Sequence, residues 1–99
     1  MRFSLTSKEK ESLLNIAEKS VRSMVLNGVP HTITEQLPIG QVNEKGGAFV
    51  SIYVKGDLRG CIGAFEGELS LAETVNKSAA SATYDGRFAP ILPDELIDL

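Results

Sequence analysis

The chain has 99 residues, 42% apolar and 23% charged, with a net charge of −3, which fits one globular domain with an ordinary core. The acidic balance disfavours nucleic acid, whose binders present basic patches, and no polybasic cluster or apolar run of about 18 residues offers a membrane anchor. A single cysteine and a single histidine exclude an internal disulfide and a recognisable metal-ligand set, so neither metal nor cofactor is expected.

The N-terminus lacks an apolar stretch of signal-peptide length, which points to the cytoplasm. Thr6 followed by Glu9 fits a capping box that opens a helix from Ser7 to about Leu26. Its apolar stripe reads Leu13, Leu14, Ile16, Ala17, Val21, Met24 and Val25. Asn27-Gly28 supplies a left-handed cap, and Pro30 prevents continuation. From Val29 to Gly47 the periodicity breaks, and Ile33, Leu37, Ile39 and Val42 are the apolar anchors of a long connection. A connection of this length is expected to wrap over the core or to serve function. Its one histidine, His31, is expected to face solvent.

Ala48 to Val54 alternates as a strand, with Ala48, Val50, Ile52 and Val54 on one face. Lys55-Gly56-Asp57 reads as a three-residue hairpin connection. A second strand then runs from Leu58 to about Phe65. Period two puts Leu58, Gly60, Ile62 and Ala64 on one face and Arg59, Cys61, Gly63 and Phe65 on the other. Ser70 and Glu73 cap a second helix through about Thr83, with Leu71, Val75, Ala79 and Ala82 as its buried stripe. Asp85-Gly86 ends it, Arg87 to Pro90 is extended, and Pro93 starts a last helical turn. The expected class is α+β: a hairpin, within a sheet expected to be mixed in the α/β manner, flanked by a long N-terminal helix and a second helix. Residues 1–99 form a single partial domain. Two strands make a marginal sheet.

The chemistry gathers in Leu58-Arg59-Gly60-Cys61-Ile62-Gly63. Glycine in a strand loses backbone entropy and packs no side chain, so a close backbone approach, a bulge or a ligand must offset it. Arg59 and Cys61 share a strand face, roughly 6–7 Å apart, and a nearby guanidinium favours a thiolate. Cys61 is therefore a candidate nucleophile. On the residues alone, a lone cysteine is more often a small buried apolar side chain than a nucleophile. Asp57, Glu66, Glu68 and Asp85 are the neighbouring carboxylates, and none forms a spaced acid/base pair.

The hexapeptide resembles the hallmark of the AMMECR domain family. Gly47-Ala48-Phe49-Val50-Ser51-Ile52 is similar to the family's preceding strand, and Leu69 to Val75 with Ala79-Ala80 to its following helix. Tyr84-Asp85-Gly86-Arg87-Phe88, Pro90 and Glu95-Leu96 resemble its Asp-Pro-Arg-Phe segment and Glu-Leu, with Gly86 where proline is usual. The resemblance implies a two-lobed fold about twice this length, of which this chain matches the N-terminal half. It also implies a functional site at the hexapeptide beside the inter-lobe groove, and partners of the Memo (dioxygenase-like) or radical-SAM type.

These readings combine into a ligand or substrate site. In it Cys61 is expected to be a nucleophile or a buried structural thiol, Arg59, Gly60 and Gly63 to contact the ligand, and Asp85 and Arg87 to be candidate supporting residues. The rival is a non-catalytic interaction module whose open sheet edge recruits a partner strand and whose glycines pack against the second helix. An unfinished sheet should also dimerise through its edge or be marginally stable.

Overall fold

The computed structural model describes residues 5–37, 40, 43–64 and 69–99. Ile39, Val42, Phe65, Glu66 and Glu68, named above, lie outside the described residues. The order is α1 (Ser7–Asn27), β1 (Ala48–Val54), β2 (Asp57–Ala64), α2 (Leu71–Ala82) and a closing 3₁₀ helix, Pro93–Asp98. This is the expected α+β arrangement, with the described sheet a two-stranded antiparallel hairpin.

The capping box of α1 forms as the spacing requires. The Glu9 N–H donates to the Thr6 hydroxyl (3.1 Å) and the Thr6 N–H to the Glu9 carboxylate (3.0 Å). Gly28, at φ 75°, ends the helix in the left-handed region that glycine alone enters cheaply. Leu13, Ile16 and Val21 are buried, but Leu14 is 72% exposed. The stripe predicted to include Leu14 is therefore narrower. The fully buried Ser20 takes a place in it, donating its hydroxyl to the Asn76 carbonyl of α2 (2.7 Å).

α2 is the central element. Ser70 caps it by accepting the Glu73 N–H (3.2 Å). Leu71, Ala72 and Val75 pack with Leu13 and Ile16 of α1, while Ala79 and Ala82 join Val21, Ile52, Ile91 and Leu96. Burial of a side chain such as Ile16 is worth roughly 2 kcal/mol. Because Ala79 and Ala82 carry only a methyl group, the C-terminal half of α2 approaches β2 closely.

The long connection wraps over this core, with Ile33 and Leu37 against the α1–α2 cluster. His31 is not free in solvent: its Nε2 lies 2.8 Å from Glu35 Oε1, and its carbonyl accepts from Asn76 Nδ2 (2.6 Å). Partial burial works against the Glu35 charge, yet the His31 ring and the Thr34 N–H hold its pKa down to about 2.

The hairpin departs from expectation in two places. Asp57 pairs with Val54, so the turn is the two residues Lys55 and Gly56, both at positive φ (51° and 82°). That left-handed pair matches strand twist, which favours it over a longer loop. The register also shifts: Ile52 opposes Gly60 but Tyr53 opposes Leu58, leaving Arg59 as the extra residue of a β-bulge. The bulge moves Leu58 off the face it was expected to share with Gly60 and Ile62 and onto the outer face beside Tyr53, where it is 39% exposed.

Candidate functional site

Each hexapeptide glycine has a distinct neighbour. A Cβ at Gly60 would stand 2.0 Å from the Ala82 carbonyl oxygen, so β2 meets the backbone at the end of α2 there. A Cβ at Gly63 would stand 2.1 Å from the Phe49 ring, which lies across it from the opposing strand position. One glycine admits a helix and the other an aromatic ring.

Arg59 reaches outward from the bulge. Its Nη1 and Nη2 donate to the two Glu95 carboxylate oxygens, and Nη2 also donates to the carbonyls of Ala89 (3.3 Å) and Pro90 (3.2 Å). The pair is mutually reinforcing. Hydrogen bonding to Glu95 raises the guanidinium pKa, and hydrogen bonding to Arg59, then to the Leu92 N–H, lowers that of Glu95. Arg59 thus fastens the segment after α2 to the bulged strand.

Cys61 lies on the outer face, partly exposed, opposite Ser51. The Ser51 hydroxyl donates to its sulfur (3.4 Å). Its N–H donates to Asp85 Oδ2 (3.1 Å), and its carbonyl accepts from Arg87 Nη2 (2.8 Å). Asp85 is 6% exposed and Arg87 bonds it through three nitrogens: N to Oδ1 (3.1 Å), Nε to Oδ1 (3.1 Å) and Nη2 to Oδ2 (2.7 Å). The Arg87 side chain, followed by the Cys61 N–H, holds the Asp85 carboxyl well below the usual carboxylate range. Asp85 in turn raises the Arg87 pKa, and the Cys61 thiol adds to that pull. The Arg87 guanidinium sits 5.6 Å from the Phe88 ring centroid.

The structure therefore gathers Cys61, Asp85 and Arg87 into one clasp and directs Arg59 to Glu95. Ser51 and Glu95 were not singled out from the sequence as site residues. Ser51 follows from the hairpin register, since a three-residue connection and a two-residue turn with a bulge both set it opposite Cys61, and Glu95 from no local pattern. Around the thiol, Phe49 (66%), Tyr53 (53%) and Leu58 present an exposed apolar surface. No group of three or more His, Cys, Asp or Glu among the described residues could hold a metal ion. No helix among them is long and apolar enough to cross a membrane.

The AMMECR1 family model matches residues 14–99. A protein of Methanothermobacter thermautotrophicus is 33% identical over 96% of this chain and 50% of its own length. Protein MK0488 of Methanopyrus kandleri is 36% identical over 96% of this chain and 47% of its own. The crystal structure of uncharacterized protein PH0010 from Pyrococcus horikoshii superposes with a TM-score of 0.79 at 27% identity, covering 94% of this chain and 48% of that one. The chain spans about half the length of these relatives. With the hexapeptide, the capped helix after it and the Asp85–Arg87 clasp all in place, the chain belongs to the AMMECR1 family.

Proposed function

We propose that the outer hairpin face around Cys61 is the ligand- or substrate-binding face of this AMMECR domain. The observation that carries the proposal is a partly exposed thiol that accepts from the Ser51 hydroxyl, on a residue whose N–H and carbonyl are held by Asp85 and Arg87. Cys61 is the nucleophile. Arg87, whose side chain is 66% exposed, offers the cation for a carboxylate or phosphate group of the ligand. Asp85 is a positioning residue for Arg87. Arg59 shapes the strand through Glu95, while Gly60 and Gly63 let the backbone and the Phe49 ring come close to the site. A Memo-type or radical-SAM-type partner in the cytoplasm, as the family resemblance implies, belongs to the same proposal.

Alkylation by iodoacetamide tests the nucleophile. In native protein at pH 7 it should run faster than in the unfolded chain, and slow in Arg87→Gln, which removes the cation beside the clasp. A native thiol no faster than the unfolded one sinks the nucleophile role.

A second reading, a non-catalytic interaction module, is favoured by the outer edge of β1, with which no other strand pairs among the described residues. That strand, Ala48–Val54, carries no charge, proline or glycine, the composition that templates pairing with another chain. Cys61→Ser separates the readings. It should abolish a thiol-dependent activity and leave strand recruitment at β1 intact.

A further inference from the structure

Asn27-Gly28 and Asp85-Gly86 are pairs in which a side chain can close a five-membered ring on the glycine nitrogen. Glycine has no Cβ to crowd that attack. The structure restrains the two pairs differently. The Asp85 carboxylate is ionised and both its oxygens are held, Oδ1 by the Arg87 N–H and Nε, Oδ2 by Arg87 Nη2 and the Cys61 N–H. The Asn27 side chain is exposed, and no hydrogen bond among the described residues ties its amide. At Asn27 it is the backbone that is held. The Gly28 N–H donates to the Met24 carbonyl (3.0 Å), and Asn27 is the last residue of α1. A helical ψ turns the Gly28 nitrogen back along the helix, away from the Asn27 side chain. Just beyond, the Ser23 hydroxyl donates to the Val29 carbonyl (2.8 Å) and closes the same turn.

We infer that Asn27 is a self-modification site, a deamidation gated by opening of the last turn of α1. When the bond to Met24 breaks and Asn27 leaves the helical region, hydroxide takes the Gly28 N–H proton and the nitrogen attacks Asn27 Cγ. The new N–Cγ bond closes a succinimide, and the side-chain nitrogen takes up a proton and leaves as ammonia. Water then opens the ring at either carbonyl. One opening gives aspartate, and the other gives isoaspartate, whose main chain runs through the former side chain and is one carbon longer. No oxidant, reductant or cofactor takes part. Both products act on the turn that gated the reaction. The aspartate charge stands at the negative end of the helix dipole, where the last turn holds no basic residue to offset it. The added carbon of isoaspartate shifts Gly28 away from the Met24 carbonyl. Either way the connection that starts at Val29, and is tied to α2 through the His31 carbonyl and Asn76, loses its anchor on α1.

Mass spectrometry of the full chain, incubated in mildly alkaline buffer and fragmented to locate the change, tests this. Deamidation should fall at Asn27 and run at least about tenfold slower in the folded chain than in guanidinium chloride, the ratio set by turn opening. Ser23→Ala frees the Val29 carbonyl. It should speed the folded reaction about fivefold and leave the unfolded rate unchanged. Asn27→Asp, which has the charge of one product from the start, should speed hydrogen exchange at Gly28 and Val29. Equal rates in the folded and unfolded chains overturn the gate, as does a Ser23→Ala chain that reacts no faster than wild type. A folded chain that reacts first at Asn15, Asn43 or Asn76, or an Asn27 inert even when unfolded, overturns the site. Unchanged exchange in Asn27→Asp overturns the loosening of the turn.

Discussion

The two edges of the hairpin are built in opposite ways. Along β2 the bulge at Arg59, the Arg59–Glu95 pair and the Asp85–Arg87 clasp occupy the backbone and turn it toward the segment after α2. Bulges and inward-reaching charges are the devices by which natural sheets blunt an edge. Along β1 there is neither charge nor bulge at Ser51, and an apolar groove runs beside it. The family hallmark therefore sits on the closed edge, and three of its six residues have an explanation in that closure: Arg59 as the bulge, Gly60 as the approach to Ala82, and Cys61 as the residue whose N–H and carbonyl the clasp takes. What closure leaves over is the Cys61 sulfur, which faces outward beside Ser51. This is why the thiol, and not the glycines, carries the functional proposal.

The contrast can be broken most forcefully at Gly60. Gly60→Ala puts a methyl group against the Ala82 backbone, which cannot swing aside, and should cost about 3 kcal/mol or more in urea unfolding. A cost under about 1 kcal/mol would show that α2 can retreat without loss.

Asp85→Asn should come next, lowering the urea midpoint at pH 7 by less than Gly60→Ala does. The folded carboxyl is depressed, so its contribution is full above the unfolded value of about 4 and lost as pH falls toward the lower folded value. The gap between wild type and Asp85→Asn should accordingly narrow on acidification below pH of about 4, and a gap constant with pH would contradict the charged clasp.

Gly63→Ala is a finer probe. Its Cβ meets the exposed Phe49 ring, which can rotate, so a loss of about 1 kcal/mol is expected. A loss equal to that of Gly60→Ala would mean the ring is as fixed as backbone. Least of all should Ser51→Ala matter to folding. At an exposed position on the open edge it should shift stability by no more than about 0.5 kcal/mol, yet it removes the hydroxyl donor to the Cys61 sulfur and should change the alkylation rate.

Local pattern alone determined α1, β1, α2 and their caps, because capping boxes, strand alternation and a left-handed glycine act over a few residues. Thr6 with Glu9, Gly28 and Ser70 stand where their neighbours required them. The resemblance carried by the hexapeptide and by Tyr84–Phe88 identified the family without any contact being known. The tertiary structure decided the rest. A bulge is a property of two paired strands, so Leu58 changed face and Arg59 left the ladder for reasons that β2 alone does not contain. Which cation would serve Cys61 depended on how the turn after α2 folds back, and that placed Arg87 at the cysteine and Arg59 at Glu95, 36 residues away. Leu14 reads as core by periodicity yet is exposed, because α1 packs on α2 with a narrower stripe and leaves that side chain at the groove. Periodicity says which residues share a face, and only packing says whether anything covers it.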